Sequence, residues 1–348
     1  MSKNVFVGMS GGVDSSVTAL LLSRQGYKVS GVYMKNWTRN IAGFSCPWEE
    51  DYRDAKRVAV SLDIPLLVFD FEKQYREKVV NYMIDGYKQG ITPNPDIICN
   101  QEIKFKLFFD LSMQSGADLI ATGHYGRIVK GHLKTAVDQN KDQTYFLYRM
   151  SQQSLSKTLM PIGDYKKSEI RNIAKKNNLA TATKKDSQGI CFIGEVGIKE
   201  FLINELGPQP SGPIIDDQQK EVGVHDGAIF YTIGQRHGLN IGGGLPYYVI
   251  DKDISKNIVY VSRNLDNPNL WSKEIRLTNF YFTYNNFDYI NKKLKVRIRY
   301  RGDLIDCDLR VKGDKAFIGL KQAAKAVARG QSAVLYYGQY CIGGGIIV

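Results

Sequence analysis

The 348-residue sequence has no run of about 18 apolar residues, so nothing in it reads as a membrane span. Its start, Met1-Ser2-Lys3-Asn4-Val5-Phe6, lacks the long apolar stretch and small-residue cleavage site of a secretory leader, so secretion is not expected. Cysteine is scarce: five residues, at 46, 99, 191, 307 and 341, with no Cys-x-x-Cys pair. That odd, scattered set excludes a disulfide scaffold and a zinc ribbon, and a reducing, cytoplasmic setting is expected. No internal repeat or low-complexity tract is present, and 43% hydrophobic with 24% charged residues is ordinary globular composition. The length predicts two or three domains.

What is present in excess is positive charge. Lys and Arg number 47 against 35 Asp and Glu, a net charge of +12, and residues 291–348 alone contribute +8 of it. A basic C-terminal module points to a polyanionic partner, most often nucleic acid, although a merely soluble basic protein has the same balance. There Leu294, Val296, Ile298 and Tyr300 alternate with Lys295, Arg297, Arg299 and Arg301. The period of two predicts a strand with one apolar face and one face of four cations.

The first half alternates strand-like and helix-like segments: strands at 4–9, 28–34, 65–71 and 118–122, helices at 13–24, 48–62 and 72–88. Such repetition predicts a doubly wound parallel sheet with helices on both faces, and ligands at the carboxyl ends of its strands. After about Gly194 glycine and proline become frequent and long helical periodicity fades. From about Trp271 strand follows strand, which predicts a small barrel. The expected division is 1–195, an α/β nucleotide-binding catalytic unit; 196–270, a small Gly-rich unit; and 271–348, a β-barrel.

Three motifs carry chemistry. Ser10-Gly11-Gly12-Val13-Asp14-Ser15 joins the first strand to the first helix, where glycines admit a phosphate and opening amides attract it. It is neither a Walker A loop nor Gly-x-Gly-x-x-Gly. In Thr92-Pro93-Asn94-Pro95-Asp96-Ile97-Ile98-Cys99, a helix starting near Asp96 puts Cys99 in its first turn, where the thiolate is favoured. An N-cap for Asp96 and a small buried hydrophobe for Cys99 are the plain alternatives. Glycines 189 and 194 flank Cys191 closely, as in a segment that presents a thiol, though a core strand cysteine fits as well.

Ser-Gly-Gly-x-Asp-Ser resembles the pyrophosphate loop of ATP pyrophosphatases, which activate a carbonyl oxygen as an adenylate. The whole chain resembles the tRNA-specific 2-thiouridylase (MnmA-type) family end to end. The matching stretches are Gly8–Ser16, Met34–Trp37, Thr92–Cys99 with Ile103–Phe105, Thr122–Tyr125, Lys141–Gln143 with Tyr145–Leu147, Gly189–Gly194, Tyr231–Arg236, Arg299–Arg301 and Gly343–Ile347. One departure is Ala328-Arg329-Gly330-Gln331, where the family often has proline before Gly-Gln.

The resemblance implies ATP-dependent 2-thiolation of the wobble uridine in a tRNA anticodon loop. ATP adenylates the C2 oxygen, a poor leaving group, so that it departs with AMP. Gly8, Met9, Ser10, Gly11, Gly12, Val13, Asp14, Ser15, Met34 and Gly123 are the implied ATP site, with Mg²⁺ beside Asp14. Cys191 is implied as the persulfide carrier and Cys99 as the second catalytic thiol. Cys99 either frees hydrosulfide or resolves the product through a transient Cys99–Cys191 disulfide. Asp96 is implied as general acid/base. Asn94, Pro95 and Asp96 line the base pocket by the same resemblance, and Lys141, Asp142, Gln143, Arg299 and Tyr300 contact tRNA. The sulfur comes from a donor protein, a cysteine desulfurase or a sulfur-relay protein. Two rivals remain at this stage: a synthetase that adenylates a small acid, and a non-catalytic RNA-binding protein with a vestigial loop.

Overall fold

The computed structural model describes residues 2–41, 45–186, 197–284, 288 and 292–348. The apolar run of β1 (Asn4–Gly8) is buried on both faces, as a central parallel strand requires. Helix α1 (Val13–Arg24) follows the nucleotide loop and stops before Gly26, whose φ of +84° suits a residue without Cβ. Then come β2 (Lys28–Lys35), α2 (Trp48–Ser61) and β3 (Leu66–Asp70). In α2 the stripe Ala55, Val58, Ala59 is buried, and Glu49, Glu50 and Asp51 occupy the first turn, where the helix dipole favours them.

Helices α3 (Glu72–Tyr75) and α4 (Asn81–Lys88) are joined by a π-type stretch. A second rod runs through α5 (Pro95–Ile98), a π-helical stretch Cys99–Phe108, and α6 (Phe109–Gln114). It is capped by Asn94, whose side chain accepts from Ile97 N, so the cap is Asn94 and not Asp96. Strand β4 (Leu119–Ala121) leads to a hairpin, β5 (Arg127–Val129) and β6 (His132–Lys134), then to α7 (Gln152–Ser156), β7 (Thr158–Leu159) and α8 (Lys167–Lys176). The sheet order is β3-β2-β1-β4-β7, every pairing parallel.

Helix α9 (Ile198–Leu206) opens the middle of the chain and buries Phe201 and Leu202, a helix the Gly-rich texture does not predict. Strands β8 (Gly212–Asp216), β9 (Glu221–His225), β10 (Tyr248–Asp253) and β11 (Ile258–Ser262) form a sheet in the order β10-β11-β8-β9. The last six strands are β12 (Trp271–Phe282), β13 (Leu294–Arg297), β14 (Ile305–Lys312), β15 (Lys315–Lys325), β16 (Ser332–Tyr337) and β17 (Tyr340–Ile347). They close into a barrel because β12 pairs with both β15 and β17. Gly343 lies opposite Phe282 at that seam with φ +151°, and a Cβ there would overlap the Tyr281 carbonyl oxygen. Strand β17 also pairs with β6, so the hairpin of the first unit extends the barrel sheet.

The expected face of four cations is corrected. Strand β13 ends at Arg297, which is only 8% exposed, while Lys295, Arg299 and Arg301 are exposed. Arg297 turns inward because a buried carboxylate, Asp142, lies 3.2 Å from its Nη1. Beyond it the chain bends, and Arg301 has φ +59°, so strict alternation no longer applies.

Candidate active site

The loop between β1 and α1 is folded by its own small side chains. Ser15 Oγ accepts from Ser10 N at 3.2 Å and donates to the Gly12 carbonyl at 3.1 Å, while Ser16 Oγ donates to the same carbonyl at 2.8 Å. Gly12 caps the helix without a side-chain bond. Gly11 has φ +71°, and a Cβ on it would overlap the Asp51 carbonyl oxygen. Gly123, just past β4, lies against the first turn of α1: a Cβ there would stand 2.7 Å from Ser15 N. A Cβ on Gly8 would lie 3.0 Å from Met34 Cε. The structure therefore gathers Gly8–Ser15, Met34 and Gly123 at the carboxyl edge of the sheet, with first-turn amides that have no preceding helical carbonyl to bind.

Asp14, in the first turn, accepts from Tyr125 Oη at 2.9 Å and from Lys167 Nζ, 2.8 Å from each carboxylate oxygen. Lys167 also reaches Asp186 at 2.9 Å, and Asp186 is held by Arg171 at 2.6 Å and Lys141 at 2.8 Å. Partial burial opposes ionisation of Asp186, but Lys141 and Lys167 outweigh it and bring its pKa down to about 2. Oxygen donors at Asp14 and the serines suit a hard cation that leans chiefly on phosphate.

The second constellation lies on the rod that opens at Pro95. Asp96 is half-buried; burial raises its pKa, with Lys104 acting in the opposite direction. Cys99 is 4% exposed at the junction of α5 and the π-helical stretch. That stretch carries Lys104, whose Nζ lies 3.4 Å from His124 Nε2. His124 Nδ1 is 2.9 Å from Thr122 Oγ1, its ring is tilted against Phe105, and burial then Lys104 push its pKa well below the usual range. One line of contacts thus runs from Ser15 through Gly123 and His124 to Lys104 and the Cys99 rod. Cys191, with Ser187–Gly194, lies outside the described residues.

Neighbouring units hold the Thr92–Pro95 loop. Thr92 N donates to the Arg329 carbonyl at 2.8 Å, Gln331 Nε2 donates to the Thr92 carbonyl at 2.9 Å, and Asn94 Nδ2 donates to Gln331 Oε1 at 3.4 Å. Thr92 Oγ1 and Thr232 Oγ1 are 2.9 Å apart. The Ala328–Gln331 turn, singled out above only as a departure, therefore braces the base-pocket candidates.

The two segments expected to contact RNA also meet. Arg301 Nε donates to the Asn140 carbonyl at 3.2 Å, and the Phe146 and Tyr300 rings are 4.6 Å apart. Arg299 is exposed and Tyr300 half-buried. In the other segment the side chains are engaged inward. Asp142 is 1% exposed, accepting from Ala136 N, Thr144 Oγ1 and Arg297. Gln143 Oε1 accepts from Tyr125 N at 2.9 Å, and Lys141 is on Asp186. The buried, paired Asp142 carboxylate shapes this loop from within.

Lys167, Asp186, Thr232 and Gln331 were not singled out from the sequence as site residues: Thr232 and Gln331 lie in stretches noted only for the family likeness, and the partners of the four are up to 239 positions distant. A cleft of about 610 Å³ lies elsewhere, beside the central sheet. Asp216, Asp217, Asp251 and Asp253 line it, a charge that disfavours phosphate and RNA. Among the described residues no helix is long and apolar enough to cross a membrane, and no three His, Cys, Asp or Glu side chains are grouped to hold a metal.

The family described as tRNA methyl transferase HUP domain matches residues 3–195, more than half of the chain. The tRNA methyl transferase PRC-barrel domain matches 199–263, and the aminomethyltransferase beta-barrel domain 272–347. The tRNA-specific 2-thiouridylase MnmA of Bacillus licheniformis is 48% identical over 351 residues, covering 99% of this chain and 94% of its own. That of Streptococcus thermophilus is 46% identical over 353 residues with the same coverage. Among solved structures, a 4-thiouridine synthetase–RNA complex with bound ATP aligns at 19% identity and TM-score 0.38, covering 56% of this chain and 46% of that one. The U34-tRNA thiolase NcsA from Methanococcus maripaludis aligns at 16% and 0.37, covering 54% and 60%.

Proposed function

The chain belongs to the tRNA-specific 2-thiouridylase family, and from that premise we propose that it performs ATP-dependent 2-thiolation of the wobble uridine in tRNA anticodons, in the cytoplasm. It is read as three units: 1–195 for catalysis, 196–270 as a brace, and 271–348 as an RNA-binding barrel. The observation that carries the reading is the contact line from Ser15 to Lys104, which joins the nucleotide loop to the rod that bears the buried Cys99. A synthetase acting on a small acid has no use for that thiol, and a vestigial loop has no need of Gly11 and Gly123 packed so closely.

In this mechanism the loop amides and Ser10 receive the phosphates of ATP, and Gly123 fixes the distance between that loop and the base. Asp14, with the serine hydroxyls, is the seat for Mg²⁺, which supplies charge neutralisation when bound. The wobble base, splayed from its loop, meets Asn94, Pro95 and Asp96. Asp96, its pKa raised by burial, is suited to hold or release a proton beside the base. His124, kept neutral by burial and Lys104, offers a ring nitrogen without adding charge. Attack of the C2 oxygen on the α-phosphorus expels pyrophosphate; attack of persulfide sulfur from Cys191 at C2 then expels AMP. Cys99 thiolate acts either beforehand, displacing hydrosulfide from the Cys191 persulfide to attack C2 in its place, or afterwards, breaking the Cys191–S bond to free the 2-thio base. Either route leaves a Cys99–Cys191 disulfide, which a thiol reductant must open before the next turnover. A donor protein carrying a persulfide recharges Cys191.

The test is purified chain with tRNA, ATP and a persulfide-bearing donor, followed by nucleoside mass spectrometry. The expected result is 2-thiouridine, with AMP and pyrophosphate formed only when tRNA is present. Pyrophosphate release that ignores tRNA and follows a small acid would establish the synthetase reading instead.

A further inference from the structure

The ammonium of Lys167 is an unusual occupant of a nucleotide loop. It opens α8, 153 positions from Asp14, yet lies 2.8 Å from both oxygens of that carboxylate. Its side chain is only 12% exposed, and the Tyr125 ring lies below it at 5.7 Å. Its backbone is fixed independently, Lys167 N donating to Asp138 Oδ2 at 3.0 Å. A cation so placed waits where phosphate oxygens would arrive, at the first turn of α1.

The two carboxylates that hold Lys167 are each held by something else. Asp14 keeps the Tyr125 hydroxyl at 2.9 Å. Asp186 keeps Arg171 at 2.6 Å and Lys141 at 2.8 Å. Withdrawing Lys167 therefore strands neither acid, whereas withdrawing Arg171 or Lys141 frees no charge that faces the loop. Lys167 is the transferable member of the cluster.

We propose that Lys167 is a polyphosphate ligand of the nucleotide site, seated on Asp14 until ATP enters and then exchanging that carboxylate for phosphate oxygens. This rests on the ATP reading above. It gives α8, which no sequence motif marks, a direct part in substrate binding. It also gives the second carboxylate a part: Asp186 holds the same ammonium at 2.9 Å, so Lys167 can leave Asp14 without losing its last partner. A lysine provides the point charge that such a shift needs, since its three donors are not bound to one plane.

Equilibrium binding of ATP and of adenosine to the full chain tests this. Lys167→Met is expected to weaken ATP roughly 10- to 100-fold, the worth of a charge-assisted contact, and to leave adenosine within about twofold. Lys167→Arg should restore part of the loss. Asp186→Asn should bind ATP as well as the wild type or better, because one competitor for the ammonium is gone; merely structural damage would not produce that. The proposal is overturned if Lys167→Met binds ATP within about twofold of wild type, or if adenosine binding falls in parallel. A wild-type chain that binds no ATP would instead overturn the nucleotide reading itself.

Discussion

Consider Arg297→Met. Arg297 Nη1 lies 3.2 Å from Asp142 Oδ2, with 10% and 0% of the two side chains exposed, and its guanidinium stands over the Tyr336 ring at 5.4 Å. Breaking a buried pair by removing one partner costs about 3–5 kcal/mol, because the remaining charge is uncompensated. Asp142 would still accept from Ala136 N at 3.0 Å and Thr144 Oγ1 at 2.8 Å, which favours the lower end. The lost ring contact adds to it, for a total of about 4 kcal/mol. In a cooperative unit of 150–250 residues that lowers Tm by roughly 8–16 °C. The loss must also depend on pH. Burial already raises the Asp142 pKa above its ordinary value, with Arg297 among the groups opposing that rise, so the variant raises it further. Between the unfolded and folded values the native state binds more protons than the unfolded chain, so stability falls as pH rises. The deficit should be small near pH 4 and full near pH 8. Differential scanning calorimetry at both pH values reads this directly, and Asp142→Leu/Arg297→Met should recover most of the loss. A deficit under about 1 kcal/mol at pH 8, or one indifferent to pH, refutes the reasoning.

Three further outcomes follow from the same geometry. Gly123→Ala puts a methyl 2.7 Å from Ser15 N and should weaken ATP binding by at least about tenfold, measured by calorimetric titration, while global stability falls only about 1–3 kcal/mol. Asp96→Asn should keep tRNA affinity within about twofold but lower thiolation at least about 100-fold, and the pH–rate limb owed to the raised carboxyl should vanish in single-turnover assays. Arg299→Ala should reduce the slope of log tRNA affinity against log salt by about one unit or less in filter-binding titrations, with ATP affinity unchanged, because its side chain is exposed on the barrel.

The architecture was legible wherever local pattern and tertiary role coincide. The apolar run of β1, the stripe of α2 and the glycine stop after α1 each state their structure in sequence. The start of the barrel was legible from the alternation around Leu294 and Val296, whereas β16 and β17 are buried almost throughout and do not alternate. Where a distant residue decides, pattern misleads. Arg297 reads as the outward member of an alternating strand, but a carboxylate 155 positions earlier draws it inward. Asp142 reads as part of a polar surface loop for the same reason. Likewise α9 hides in a stretch judged by its glycines, and Lys167 carries no motif because its meaning lies in α1. The nucleotide loop and the Asn94–Cys99 run were legible because their function depends on consecutive residues. Their connection through Gly123, His124 and Lys104 was not, since it depends on three separate segments meeting.

The ladder between β6 and β17 bears on how this chain can be divided. Lys134 pairs with Tyr340, Thr135 N donates to the Gln339 carbonyl, and Leu133, just before them, is fully buried. Tyr284 Oη, at the far end of β12, donates to the Leu133 carbonyl. A fragment ending near residue 195 would keep the whole nucleotide loop and the Cys99 rod, yet it would carry a two-stranded ribbon with a bared edge and an uncovered leucine. Isolated ribbons of that kind are marginal in water and prone to pair with one another. The β5–β6 ribbon borrows its finish from the other end of the chain, so a cut near residue 195 bares its edge and its leucine together.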